Sequence, residues 1–238
     1  TFNAVNGSNI GAMSISDNLI SANGMHGFEM NVTDSTLPTA APISVSNNII
    51  TGQGGDGFRM INPDTNGSPI GIDFEGNTIS DNGGTGINLA LNQGSLTTTA
   101  GNNTLNNNAT GGVTFNATQT GNIDSAFGGT GANTLAGNGT VGIGYSFANN
   151  ATGAIDIQNT SVTGTTGNGT TTGTGVNVTA TDDVVISQLN FLNGTLSDNA
   201  LHGLSITPTV NARIDDITVQ GSTISGNDTH GINLVRRD

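Results

Sequence analysis

The chain has 238 residues, 33% of them hydrophobic, and sets 17 acidic residues against four arginines with no cysteine, no tryptophan and one tyrosine. A formal net charge of -13 argues against a nucleic-acid partner or an anionic membrane surface, because phosphate contacts are carried by Lys and Arg. The missing cysteines exclude disulfides, thiolate catalysis and cysteine-ligated zinc or iron, and no apolar run approaches the ~18 residues of a membrane span.

The chain opens at Thr1 without a visible signal peptide, which reads as a processed product or a piece of something longer. Along it a glycine recurs at positions 27, 57, 86, 112, 142, 175, 203 and 231, each time opening Gly, apolar, variable, apolar. The spacings are 30, 29, 26, 30, 33, 28 and 28 residues, the range in which a fixed period means a solenoid. Phe2-Asn3-Ala4 resembles the same strand, with Thr1 in the place of the glycine.

The clearest copy runs from Ser68 to Leu89. It holds three short alternating runs, Ile70-x-Ile72-x-Phe74, Thr78-Ile79-Ser80 and Ile87-x-Leu89, each a strand with one buried face. Gly76-Asn77 and Asn82-Gly83-Gly84 punctuate them as turns. Two amide columns follow the same period. One holds Asn23, Gln53, Asn82, Asn108, Asn138, Asn168, Asn199 and Asn227. The other holds Asn18, Asn48, Asn77, Asn103 and Asn133, then blurs near Asn159 and Asn193. Stacked about 4.8 Å apart, such side chains form hydrogen-bonded ladders.

On these residues, Asn77-Thr-Ile-Ser-Asp-Asn-Gly-Gly-Thr-Gly-Ile-Asn-Leu89 above all, the chain resembles the right-handed parallel β-helix repeat family of pectate-lyase-like and bacterial surface proteins. The resemblance implies an all-β, single-stranded solenoid of about eight three-strand coils in one domain, 1–238. Because that family holds lyases, hydrolases, epimerases, tailspikes and inert stalks, membership does not choose a chemistry.

Longer connections are expected after the Gly strand at 31–42, 61–69, 90–100, 116–122, 146–153 and 207–212, with little in them that looks like chemistry. A polysaccharide lyase needs a base beside clustered carboxylates, whereas the outward column reads Glu29, Arg59, Asn88, Thr114, Gly144, Asn177, Ser205 and Asn233, one surface ion pair at most. An inverting hydrolase needs carboxylates roughly 6.5–9.5 Å apart. The acidic doublets are Asp182-Asp183 and Asp215-Asp216 beside Arg213. His26, His202 and His230 each precede a repeat glycine, where other coils carry Asp56, Thr85 or Val141, and read as turn residues. The last two would lie on adjacent coils without a third metal ligand.

Calcium is compatible with the charge, although Gly52-Gln-Gly-Gly-Asp56-Gly occurs once. Phe28, Phe58, Phe115 and Tyr145 fall on inward positions, away from any sugar. No catalytic residue and no cofactor is assigned. The expected function is a non-catalytic extracellular or cell-surface solenoid, an adhesin-like stalk segment or a filament subunit associating end to end, with Arg236 and Arg237 guiding contact. The alternative is a carbohydrate-active enzyme or carbohydrate-binding module.

Overall fold

The computed structural model describes residues 1–5, 12–33, 42–62, 69–167, 169–209 and 211–236. Asp34, Asp64, Asn168 and Arg237 lie outside them. Local structure is set by a short module repeated on eight rungs. Strands of three or four residues, from Leu19–Ser21 and Ile49–Thr51 to Thr195–Ser197 and Thr223–Ser225, have room for one inward side chain. That place is held by Ile20, Ile50, Ile79, Leu105, Leu135, Val162, Leu196 and Ile224.

Each short strand ends on a residue with positive φ, and the eight are Ala22, Gly52, Asp81, Asn107, Gly137, Gly164, Asp198 and Gly226. A left-handed residue bends the chain sharply, and Gly, Asn and Asp bear that conformation best. A second such column precedes the strands at Asp17, Asn47, Gly76, Asn102, Asn159, Asn193 and Gly221. Asn159 and Asn193 therefore belong to the bend, one place ahead of the amide column that the sequence could not align there.

The amide ladders form as expected and point one way. Where the next coil also carries Asn, the backbone N–H and Nδ2 donate to its side-chain oxygen, as from Asn48 to Asn77 at 3.0 Å each and from Asn77 to Asn103 at 3.0 and 2.9 Å. In the other column the ladder runs from Asn23 through Gln53, Asn82 and Asn108 to Asn138. Thr165, not Asn168, takes the next place, since its N–H donates to Asn199 Oδ1 at 3.1 Å. Threonine lacks the carboxamide that would reach Asn138.

None of the eight repeat glycines has positive φ. Seven of them, all but Gly231, are required by close approach instead. A Cβ on Gly112 would meet the carbonyl oxygen of Gly142 at 2.7 Å and Leu135 Cδ2 at 2.6 Å, and one on Gly175 would meet Gly203 O at 2.7 Å.

Parallel pairing then stacks the coils into a β-solenoid without helices among the described residues, one sheet of 16 strands and one of eight. Eight short strands bound seven complete turns, so the solenoid has about seven rather than eight, spanning about 34 Å at the strand spacing. The connections expected at 90–100 and 116–122 are not loops. Thr85–Gly101 and Gly111–Phe127 run continuously from the Gly strand into the following one, bending at Gly94 (φ 86°) and Gln119 (φ 55°), where the inward–outward alternation breaks and then resumes. The strand Phe2–Val5 joins the Gly-strand ladder two residues out of the expected register, Phe2 opposite Met30 instead of Phe28.

The inward columns make one continuous core. Phe28 stacks on Phe58 with ring centroids 5.2 Å apart, and Phe115 on Tyr145 at 4.7 Å. Leu89 and Met60 are fully buried. The residue between two inward neighbours is half-covered rather than exposed, and Ser205 is only 5% exposed.

Candidate functional site

The residues that the sequence singles out fall into separate places. Asp56 is a capping residue: Oδ1 accepts the Thr85 N–H at 2.7 Å and Oδ2 accepts Asn88 Nδ2 at 3.0 Å, binding one coil to the next. His26 Nδ1 accepts the Asp56 N–H at 2.9 Å, and Arg59 Nη1 lies 2.8 Å from its Nε2. A neutral imidazole accepts at one nitrogen only, so two donors compete for one lone pair. Arg59 Nε is buried with no partner. The Glu29–Arg59 ion pair that the outward column allows at most does not form, and Glu29 takes Thr1 Oγ1 and Asn31 Nδ2 instead.

Asp182 and Asp183 do not lie on a strand. Both have positive φ, as do Asn149 and Asn150 on the preceding coil, and Asn150 N–H donates to Asp182 O at 2.9 Å. The doublet is a turn. Asp215 forms an exposed pair with Arg213, Nε to Oδ1 at 2.5 Å, while the Asp216 backbone oxygen accepts the Leu189 N–H. Among the described residues no three His, Asp or Glu side chains converge on a common point.

His202 and His230 do lie together on adjacent coils, their rings tilted by 48° with centroids 5.1 Å apart and Nδ1 atoms 3.4 Å apart. Thr229 Oγ1 donates to Leu201 O at 2.5 Å, which leaves its oxygen to accept from His202 Nδ1–H at 2.6 Å. His202 Nε2 then accepts from Asn233 Nδ2 at 3.3 Å. This network suits a neutral imidazole. Burial and, second, the charge of a protonated His230 push the His202 pKa below its usual value.

His202 stands at the edge of a groove of about 460 Å³ on the outward face of the Gly strands. The floor is Asn177, Ser205, Thr207 and Asn233, one wall is Thr140 and Val141, and the other is Thr170–Thr172. Those threonines belong to the Thr- and Gly-rich stretch 164–175 of the sequence, which makes the spacing from Gly142 to Gly175 the longest of the seven. The 33-residue interval was the signal for this site. Compared with protein-family models, curated proteins and solved structures, the chain matches none.

Proposed function

We propose that the chain is a structural β-solenoid segment of an extracellular or cell-surface assembly, a stalk or a filament, without catalytic activity. The observation that carries this reading is the polarity of the amide ladders. Outside the rungs of Thr160, Thr165 and Gly194, the coils accept with side-chain oxygens on one side and donate N–H and Nδ2 on the other, so a further coil of the same pattern fits at either end. The last rung presents Ile232 and Leu234, 50% and 62% exposed, as an open apolar edge, and such edges invite pairing. Further coils of a longer parent chain or another copy satisfy it equally, and head-to-tail addition does not close.

The test is light scattering across concentration with electron microscopy of the particles, run on the chain and on Gly231→Ala. On Gly112 the equivalent Cβ strikes the next coil, whereas at Gly231 it meets only Ile224 Cγ2 at 3.2 Å. Elongated particles that the variant shortens support stacking. A strictly monomeric particle at all concentrations refutes the filament form. Separately, polygalacturonate and alginate are expected to survive incubation with or without calcium. New reducing ends or unsaturated product, lost on Arg213→Ala or Asp216→Ala, would reverse the non-catalytic assignment in favour of the enzyme.

A further inference from the structure

Two hydroxyls lining the groove beside His202 have bonding capacity to spare. Thr174 and Ser205 are each 5% exposed and line it. No partner meets the Thr174 hydroxyl among the described residues. Ser205 Oγ only accepts, weakly, from Asn233 Nδ2 at 3.4 Å, which leaves its own proton free. Asn177, on the floor between them, has no side-chain hydrogen bond among the described residues. A ligand bearing donors and acceptors would pair them.

We propose that this groove binds an uncharged, polyhydroxylated ligand, a short stretch of neutral saccharide, a role beyond the structural reading above that holds whether or not coils stack. The lining contains no carboxylate, lysine or arginine, and a molecule of net charge -13 repels acidic sugars at the long range where charge acts. Hydroxyls and carboxamides both donate and accept, which matches sugar hydroxyls. Val141, Leu201 and the threonine methyls supply apolar surface for sugar C–H groups. An extended peptide is the poorer fit, because strand addition needs the free backbone groups of a sheet edge and this groove lies on a face whose strands, Val141–Ala148, Thr174–Thr181, His202–Pro208 and His230–Leu234, pair in series. The volume lies within the ~300–1,000 Å³ usual for small-molecule sites.

The experiment is titration of the labelled protein with cellohexaose, maltohexaose and mannohexaose, with hexagalacturonate and a Ser/Thr/Asn-rich hexapeptide as contrasts, followed by amide chemical shifts. Saturable shifts confined to the groove are expected for at least one neutral sugar. The near-isosteric pair Thr174→Val with Ser205→Ala should weaken binding at least about fivefold, the effect of one or two net hydrogen bonds. Asn177→Leu, which fills the floor from an outward position, should abolish it and keeps the test open if the paired variant unfolds. Binding unchanged in these variants, shifts on another face, equal or tighter binding of hexagalacturonate or the peptide, or no binding by any member of the panel at millimolar concentration would each overturn the proposal.

Discussion

Asn77 Nδ2 lies 2.9 Å from Oδ1 of Asn103, the residue that holds its place one coil later. Asn103 in turn spends Nδ2 on Phe74 O, Gly101 O and Asn133 Oδ1, at 2.9, 2.8 and 3.0 Å. Replacing that amide by an oxygen sets a buried carboxylate against three acceptors. Asn103→Asp should therefore lose about 3 kcal/mol or more at neutral pH. Asn18→Asp breaks the same kind of bonds on an exposed first rung and should lose under about 1.5 kcal/mol. Urea midpoints of the two variants make the comparison, and equal losses would show that the ladder is not a source of stability.

The repeat glycines should differ by position. Gly112→Ala forces a Cβ against a carbonyl oxygen and a leucine methyl in the middle of the stack, and rigid backbone cannot yield cheaply. A loss of about 3 kcal/mol is expected there, against less than about 1 kcal/mol for Gly231→Ala on the last rung. Thermal unfolding of both reads the contrast directly.

Ala22 is the one non-glycine, non-Asn/Asp residue in its column of eight bends, at φ 54°. Its side chain is exposed and no contact recommends it. Ala22→Gly should raise stability by about 1 kcal/mol, because a left-handed residue with a Cβ costs ~1–2 kcal/mol. A lower melting temperature for the variant would mean that the bend is not strained.

Stability should fall on acidification through the histidine pair. The folded-state pKa of His202 is depressed, so below the unfolded value of about 6.5 the unfolded chain binds more protons than the folded one. Its contribution is thus fully present above that value and is lost as pH falls toward the lower folded pKa. The urea midpoint should drop between pH 7 and 5, and His202→Gln should flatten the slope. An unchanged slope in the variant would exclude this pair as its source.

The glycine strands, the inward aromatics and most of both amide columns were legible because a solenoid repeats along one dimension, so each coil supports the reading of the others. What blurred has a specific cause. Asn serves two adjacent places, the bend and the ladder, and where Asn159 and Asn193 take the bend the ladder passes to Thr160 and Gly194. Periodicity also could not show that Asp182-Asp183 repeats the Asn149-Asn150 turn, since chemistry there is set by φ and not by apolar spacing. The groove escaped for a related reason. Its floor is four residues from three coils, and its wall is a threonine- and glycine-rich insertion whose course no pattern encodes.

The interrupted ladder gives the last prediction. Asn138 Nδ2 binds Leu105 O at 2.8 Å but meets no carboxamide on the following coil, because Thr165 stands there, 1% exposed and with Oγ1 unpartnered. In six other coils this place holds Asn and in one Gln, and the oxygens of Gln53, Asn108, Asn138 and Asn227 each accept both the backbone N–H and the side-chain amide of the coil before. The backbone around Thr165 already follows the common course, since Gly164 has φ 61° and the Thr165 N–H reaches Asn199 Oδ1. Thr165→Asn should close the gap, adding two hydrogen bonds to Asn138 and removing an orphaned hydroxyl, for a gain of about 1–2 kcal/mol. In a stack where each coil leans on its neighbours, hydrogen exchange should also slow in Thr104–Asn106 and Asn133–Ala136 on one side and Thr195–Ser197 on the other. A variant no more stable than the parent, with exchange unaltered across the gap, would show that the ladder is already two independent halves.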